Sequence, residues 1–270
     1  MTRRDRLSEK IDRMHPSGLL YSTYEARLVG ELDKQAMPRH VAVLADGNRR
    51  WARMNAPDQP LVTGYQAGAD KLKDFVGWCQ EIGGIQVVTL WVLSTDNLSR
   101  SEADELNPLL DVITQLVTDL AADGRWRVQA MGDMGLLPRP MAERLAEAKR
   151  STAQVDGMLV NVAIAYGGRH ELRDAVRSLM LAEAKRGTTL EQLAQDLDID
   201  QIEQHLYTKG MPDPDLIIRT SGEQRLSGFL MWQSAHSEFY FCEALWPDFR
   251  RVDFLRALRS YSQRERRFGR

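Results

Sequence analysis

Cysteine is nearly absent from this 270-residue chain: Cys79 and Cys242 are its whole complement. Two thiols are too few for a disulfide scaffold or a zinc framework. Long apolar runs are missing as well. The most apolar stretch, residues 87–93, is seven residues long and contains a Thr, against the ~20 residues a spanning helix needs. The opening MTRRDRLSEK is charged, with no apolar segment of a secretory signal behind it. No charge of one sign prevails: 36 basic side chains face 38 acidic ones, for a net charge of −2. That balance excludes a general nucleic-acid coat while leaving room for a local basic pocket. His15, His40, His170, His205 and His236 show no metal-ligand spacing, and both a Walker A loop and a GxGxxG after the first strand are lacking. What remains, 43% hydrophobic and 27% charged, is the composition of a folded globular protein, expected to be cytosolic.

At ~150 residues per domain the length gives a prior just under two, but the order of elements favours one. Leu19, Leu20, Tyr24, Leu28 and Leu32 recur at helical spacing and predict a helix over 18–36. HVAVLA, 40–45, predicts a short strand that stops at Asp46-Gly47-Asn48, a turn-like tripeptide. A helix over 66–82 and a strand over 86–93 follow. The clearest amphipathic pattern runs from Ser101 to about Ala122, with Ser101 and Asp104 forming a capping box. Further strands are predicted at 126–132, 158–165, 215–220 and 238–241, and further helices at 140–151, 168–186, 198–207 and 253–264. This alternation predicts an α/β domain with a mostly parallel six-stranded sheet flanked by helices. Ligands of such sheets bind beyond the carboxyl ends of the strands. Asp46, residues 94–100, 166–169 and 219–225 all fall just after predicted strands.

Three of these clusters suit anionic ligands. Asp46-Gly47-Asn48-Arg49-Arg50-Trp51 offers a carboxylate for a divalent metal beside amides and guanidinium groups for phosphate oxygens; an Asx-turn carrying surface arginines would read the same. The segment 94–100 gathers Ser94, Asn97 and Arg100 before the long helix, suiting a phosphate or simple N-capping. The third cluster places Arg219, Arg225 and three hydroxyls, Ser227 among them, on one loop. Arginines near a buried strand end are costly unless they serve a ligand, so function is favoured there. Glu238, beside a strand rich in Phe and Tyr, reads as a second metal ligand or a paired carboxylate, and the tail from Arg264 as a solvated basic end.

Taken together, HVAVLADGNRRWA, STDNLSR, YGGRHE, DLIIRTSGEQRLSGFLMWQSAHSEFYF, WPDF and RERRFG resemble, in order, the motifs of the cis-prenyltransferases, or undecaprenyl diphosphate synthase family. The resemblance runs from about Pro38 to Gly269 and is strongest to the short-chain Z,E-farnesyl diphosphate synthases. It implies a homodimeric, magnesium-dependent transferase with a catalytic domain over 37–270 and an N-terminal helical extension over 1–36. The implied reaction condenses isopentenyl diphosphate with a short allylic diphosphate, geranyl diphosphate favoured. By resemblance, Asp46 binds magnesium and promotes loss of the allylic diphosphate, which Gly47, Asn48, Arg49 and Arg50 hold, with Trp51 and Tyr65 alongside. Asn97 and Arg100 orient the substrates, with Ser94 in the same turn. Arg219, Arg225 and Ser227 match the isopentenyl diphosphate site, Glu238 joins the metal site in the dimer, and Arg267 and Gly269 complete the partner's site.

The chain departs from the family's usual pattern in three places. Tyr65 follows Gly64 where a histidine is usual, the stretch 54–63 is longer, and Asp96 stands where Glu is common. The family resemblance makes Val92 a gate on product length, intermediate in size and leaning to a short product. The alternatives are a long-chain synthase making a polyprenyl carrier lipid, an enzyme coupling two allylic units, and a silent partner subunit. Retention of Asp46, Arg50, Arg219 and Arg225 counts against the last. The proton acceptor is open, with a substrate phosphate as good a choice as any side chain. An apolar product implies at most transient contact with the inner face of a membrane, and no nucleic-acid partner.

Overall fold

A computed structural model describes residues 16–99 and 105–263. In chain order its principal helices and strands are α1 (Pro16–Gly30), β1 (His40–Leu44), α2 (Asn48–Asn55), α3 (Val62–Ile82), β2 (Val87–Trp91), α4 (Asn107–Ala122), β3 (Arg127–Met131), α5 (Arg139–Ser151), β4 (Leu159–Ala163), α6 (Gly168–Arg186), α7 (Leu190–Asp196), α8 (Ile199–Glu203), β5 (Leu216–Arg219), β6 (Glu238–Phe241) and α9 (Arg251–Ser262). The six strands form one sheet in the order β3-β4-β2-β1-β5-β6, and every pairing is parallel. Both faces are covered, so β1 is buried at all five positions and reads as a continuous apolar run rather than an alternating one.

The alternation of side chains sorts the core into two layers. Val41, Val43, Val88, Leu90, Val160, Val162, Leu216 and Ile218 face the larger layer, built with α3, α4, α5 and α9. Ala42, Leu44, Ala163 and Ile217 face the smaller one, where Tyr166, Phe229 and Leu230 pack. Arg219 ends β5 in register with Leu44, and by strand alternation it shares the smaller layer's side of the sheet. A polar strip crosses the same face: Thr89, Asn161 and Gln129 are in register on β2, β4 and β3. His40 closes it, bonded to Thr89 Oγ1 and to the Pro212 carbonyl, both at 2.8 Å. The edge of α3 is fixed by Phe75, whose ring meets Trp246, Phe249 and Phe254 at 5.8, 6.3 and 4.8 Å.

The strand expectations match to within two residues at each end, and three helices differ. The first ends at Gly30 rather than 36; its Leu28 packs on Val252 and Leu255 of α9. The helix expected at 66 begins at Val62, which with α2 ending at Asn55 leaves only residues 56–61 between helices where the longer stretch 54–63 was noted. The helix expected over 198–207 is shorter, Ile199–Glu203, and is preceded by α7; each is started by a capping box, Asp198 with Gln201 and Thr189 with Gln192. The Ser101–Asp104 box lies outside the described residues.

Candidate active site

The chain reaches its site through a reversal after β1. Asp46 and Gly47 form the exit, and α2 starts at once with Asn48. The sequence suggested a turn or loop here; NRRWARMN carries no broad apolar stripe, so periodicity could not announce a helix. The consequence is chemical: Asn48, Arg49 and Arg50 occupy a first helical turn, where backbone N–H groups lack intrahelical acceptors and favour an anion. Gly47 has φ 110°, and a Cβ there would lie 2.9 to 3.1 Å from Leu245, so only glycine makes this exit without strain. The Trp246 amide donates to the Asp46 carbonyl at 3.0 Å, and the Trp246 indole donates to the Gly68 carbonyl at 2.9 Å, which ties the exit to α3.

Asp46, Gly47, Asn48, Arg49, Arg50, Tyr65, Ser94, Asn97, Arg219, Arg225 and Ser227 line one cavity of about 520 Å³ beyond the carboxyl ends of β1, β2 and β5. Eleven candidate residues from four separate sequence segments therefore share one wall system. At its centre Arg219 donates to Asp46 Oδ2 at 3.1 Å and to Ser227 Oγ at 3.0 Å, and to the Arg225 carbonyl. Ser221 and Ser227 adopt φ of 75° and 51°, a left-handed backbone that is unfavourable for serine and typical of functional loops. Glu223 joins the two arginine groups: it pairs with Arg225 and lies 4.0 Å from Arg50, while Arg50 donates to the Ser221 carbonyl at 3.3 Å. Of six buried polar atoms without a hydrogen-bond partner among the described residues, four are around this cavity: Arg219 Nε, Asn48 Oδ1 and Trp91 Nε1 in its wall, and Ser221 Oγ on the adjoining loop. Such orphans are costly in a finished core and belong where a ligand or water completes the set.

A narrower apolar slot of about 30 Å³ opens from the same place. It shares Ala45, Asn48, Tyr65, Val92 and Leu109 with the polar cavity and continues between Leu72, Ile113 and Leu116. A charged mouth leading to a small oily recess suits a ligand with an anionic head and a short hydrocarbon tail.

Other candidates lie elsewhere. Trp51 is on α2 with its indole donating to Asp248 Oδ1 at 2.7 Å, and it does not line the cavity. Glu238 opens β6 opposite Leu216, while Arg219 is paired with Phe241 at the far end; within one chain Glu238 is at the amino edge and Asp46 beyond the carboxyl edge. Arg100, Arg267 and Gly269 lie outside the described residues.

Sequence reasoning missed two contributors. Glu105 accepts from Tyr65 Oη at 2.6 Å and pairs with Arg49 at 3.2 Å; it fell within a predicted helix, and no local signal distinguished it. Glu171, in the quoted YGGRHE, is buried and accepts from Tyr166 Oη at 2.6 Å, Tyr207 N at 2.9 Å and Gln233 Nε2 at 3.1 Å. Burial pushes its carboxyl above the usual range, against the pull of those donors. Together with the bond from Gly168 N to the Gly228 carbonyl at 2.8 Å, this network fastens α6 to the segment that carries Ser227.

For a divalent cation, the described residues contain no group of three His, Cys, Asp or Glu. Asp46 alone, with 46% of its side chain exposed in the cavity wall, still fits magnesium, which takes one or two carboxylates and draws its other ligands from water and substrate phosphates.

Comparison with known proteins agrees with this geometry. A prenyltransferase family model, described as undecaprenyl diphosphate synthase, matches residues 44–269. The chain is 59% identical to (2Z,6E)-farnesyl diphosphate synthase of Thermobifida fusca over 250 residues, 93% of this chain and 97% of that one. It is 56% identical to isoprenyl transferase 1 of Streptomyces avermitilis over 251 residues, 93% and 96% of the two chains. Among solved structures, lavandulyl diphosphate synthase from Lavandula x intermedia, in complex with dimethylallyl diphosphate, superposes with a TM-score of 0.80 at 34% identity, over 88% of this chain and all of that one. The chain belongs to the undecaprenyl diphosphate synthase family of cis-prenyltransferases and is a prenyltransferase enzyme.

Proposed function

We propose that this enzyme condenses isopentenyl diphosphate with a short allylic diphosphate, geranyl diphosphate favoured, and releases pyrophosphate and a Z-configured short-chain prenyl diphosphate such as Z,E-farnesyl diphosphate. The observation that carries this reading is the junction of a polar cavity of about 520 Å³ with an apolar slot of about 30 Å³. Similarity to (2Z,6E)-farnesyl diphosphate synthases at 51–59% identity supports it.

The reaction calls for positioning and charge stabilisation. The allylic C–O bond breaks and its electron pair leaves with pyrophosphate; the double bond of isopentenyl diphosphate forms the new C–C bond, and one proton is lost. Asp46 would hold magnesium, which supplies positive charge to the departing diphosphate. The amides of the first α2 turn, with Asn48, Arg49 and Arg50, hold and neutralise that group. Arg219, Arg225 and Ser227 clamp isopentenyl diphosphate, and Ser94, Asn97 and Arg100 orient the pair. Because Arg219 contacts both Asp46 and Ser227, the two diphosphate sites share one guanidinium and hold a fixed separation.

In this reading residues 37–270 form the catalytic domain and 1–36 a helical extension. The enzyme works as a homodimer in which Glu238 joins the partner's metal site and Arg267 and Gly269 complete the partner's isopentenyl diphosphate site. Support for the dimer is the edge strand β6, where Phe239 and Phe241 stack at 6.3 Å and Phe241 is exposed. No helix among the described residues is long and apolar enough to cross a membrane. We place the enzyme in the cytoplasm, with at most transient contact with the membrane's inner face.

Mass spectrometry of the products tests the proposal. Incubation with magnesium, isopentenyl diphosphate and geranyl diphosphate should give the mass of one condensation, and chromatography against Z,E and E,E standards should place the dephosphorylated product with the Z,E isomer. Many condensations would transfer the enzyme to the carrier-lipid synthases, and no product from any allylic primer would make it a silent subunit.

A further inference from the structure

Glu105 precedes α4 and meets two other elements. Its Oε1 accepts a hydrogen bond from Tyr65 Oη of α3 at 2.6 Å and an ion pair from Arg49 Nη1 of α2 at 3.2 Å. The burial of the three groups is graded. Tyr65 is 5% exposed, the Glu105 side chain 16% and the Arg49 side chain 46%. The phenol is therefore a buried anchor, the carboxylate a nearly desolvated acceptor, and the guanidinium the solvent-facing end. A carboxylate this deep requires a cation, and Arg49 supplies it from the cavity wall. The contact with Glu105 engages Nη1 alone among five guanidinium N–H donors, so one anchored side of the fork leaves the other able to face a phosphate. Tyr65 and Arg49 lie 16 residues apart on different helices, so only their packing brings both to Glu105.

We propose that Glu105 is a positioning residue that holds Arg49 ready for the diphosphate of the allylic substrate, and that Tyr65 fixes Glu105 in turn. This rests on the reading of the cavity as a prenyl diphosphate site. A long arginine side chain ordered before binding loses less freedom when the ligand arrives.

The test compares wild type with Glu105→Gln and Tyr65→Phe as full-length proteins. Affinity for geranyl diphosphate with magnesium is measured by calorimetry without isopentenyl diphosphate, and steady-state constants are measured with both substrates. Glu105→Gln should weaken geranyl diphosphate, in Kd and in KM, by about three- to tenfold. The KM for isopentenyl diphosphate should stay the same and kcat should change less than twofold. Tyr65→Phe should act in the same direction and more weakly. In an Arg49→Met background Glu105→Gln should add nothing, because the two act as one unit. A lower melting temperature with unchanged geranyl diphosphate affinity would leave Glu105 a structural residue and overturn the proposal. Tighter binding in Glu105→Gln would also overturn it, by showing that the carboxylate competes with the ligand for Arg49. Wild-type protein that fails to bind geranyl diphosphate at all would refute the functional reading together with this one; wild-type binding that Glu105→Gln leaves unchanged would refute this one alone.

Discussion

Arg219 and Asp46, 173 residues apart, meet at 3.1 Å across the carboxyl ends of β5 and β1, with the arginine side chain 4% exposed and the carboxylate 46%. The buried partner is the one with little freedom. Its guanidinium is held by Ser227 and the Arg225 carbonyl as well, so the exposed carboxylate is oriented by a rigid group at its back while its front is open to the cavity.

Removing that carboxylate should stop the chemistry without unfolding the chain. Asp46→Ala is expected to lower turnover by at least ~10²-fold, the scale of one lost electrostatic stabiliser, with circular dichroism and melting close to wild type. Near-normal turnover from the folded variant would end Asp46's assigned role.

The fork of Arg219 is needed more than its charge. Arg219→Lys keeps a cation but cannot reach Asp46 and Ser227 together, since an ammonium is a point donor. We expect KM for isopentenyl diphosphate to rise about tenfold or more, a loss of roughly 1.4 kcal/mol. An unchanged KM would mean the two contacts are independent of substrate binding.

Val92 borders both the charged cavity and the apolar slot. Val92→Ala should deepen the slot and shift the product mixture, read by mass spectrometry, toward additional condensations. If the product spectrum does not move, another residue sets the length.

Trp246 is fully buried, stacks on Phe249 at 5.3 Å and donates to the Gly68 carbonyl. Trp246→Ala should cost about 3–5 kcal/mol of stability by cavity formation, measured by denaturant titration. Turnover should also fall further than the folded fraction accounts for, because the substitution removes the indole bond to Gly68 that ties the Asp46 exit to α3. Wild-type activity per folded molecule would dissociate the two effects.

His40 carries a pH dependence of stability. Burial holds its imidazole below the usual histidine range, and it is neutral in the fold with Nδ1–H donating to Pro212 and Nε2 accepting from Thr89. A depressed pKa means the unfolded chain binds the proton first. Stability from this group is therefore complete above the ordinary value of ~6.5 and is lost as pH falls through the lower folded value. Melting temperature followed downward from pH 7.5 should decline less steeply in His40→Gln than in wild type. Parallel curves would exclude His40 as the titrating group.

How much of this was legible beforehand follows from the range over which each signal acts. Strand and helix alternation is local, so six strands and a parallel α/β sheet could be read directly from the chain. The phosphate-binding character of residues 46–51 and 219–227 was legible too, because strand ends followed by arginine and hydroxyl clusters are short-range patterns. Helix α2 was not, since eight residues with three arginines show no apolar period; its start is set by Gly47 against Leu245 and by Trp246 from almost 200 residues away.

The sequence by itself thus determined the class of fold, the order of the motifs and the chemistry they can bind, all properties of neighbouring residues. Only the tertiary structure decided who meets whom. The strand order β2-β1-β5 brings Asp46 to Arg219, and the packing of α2, α3 and the start of α4 gathers Arg49, Tyr65 and Glu105. Such contacts are set by strand register and helix packing over long loops of chain, and local periodicity carries no information about them.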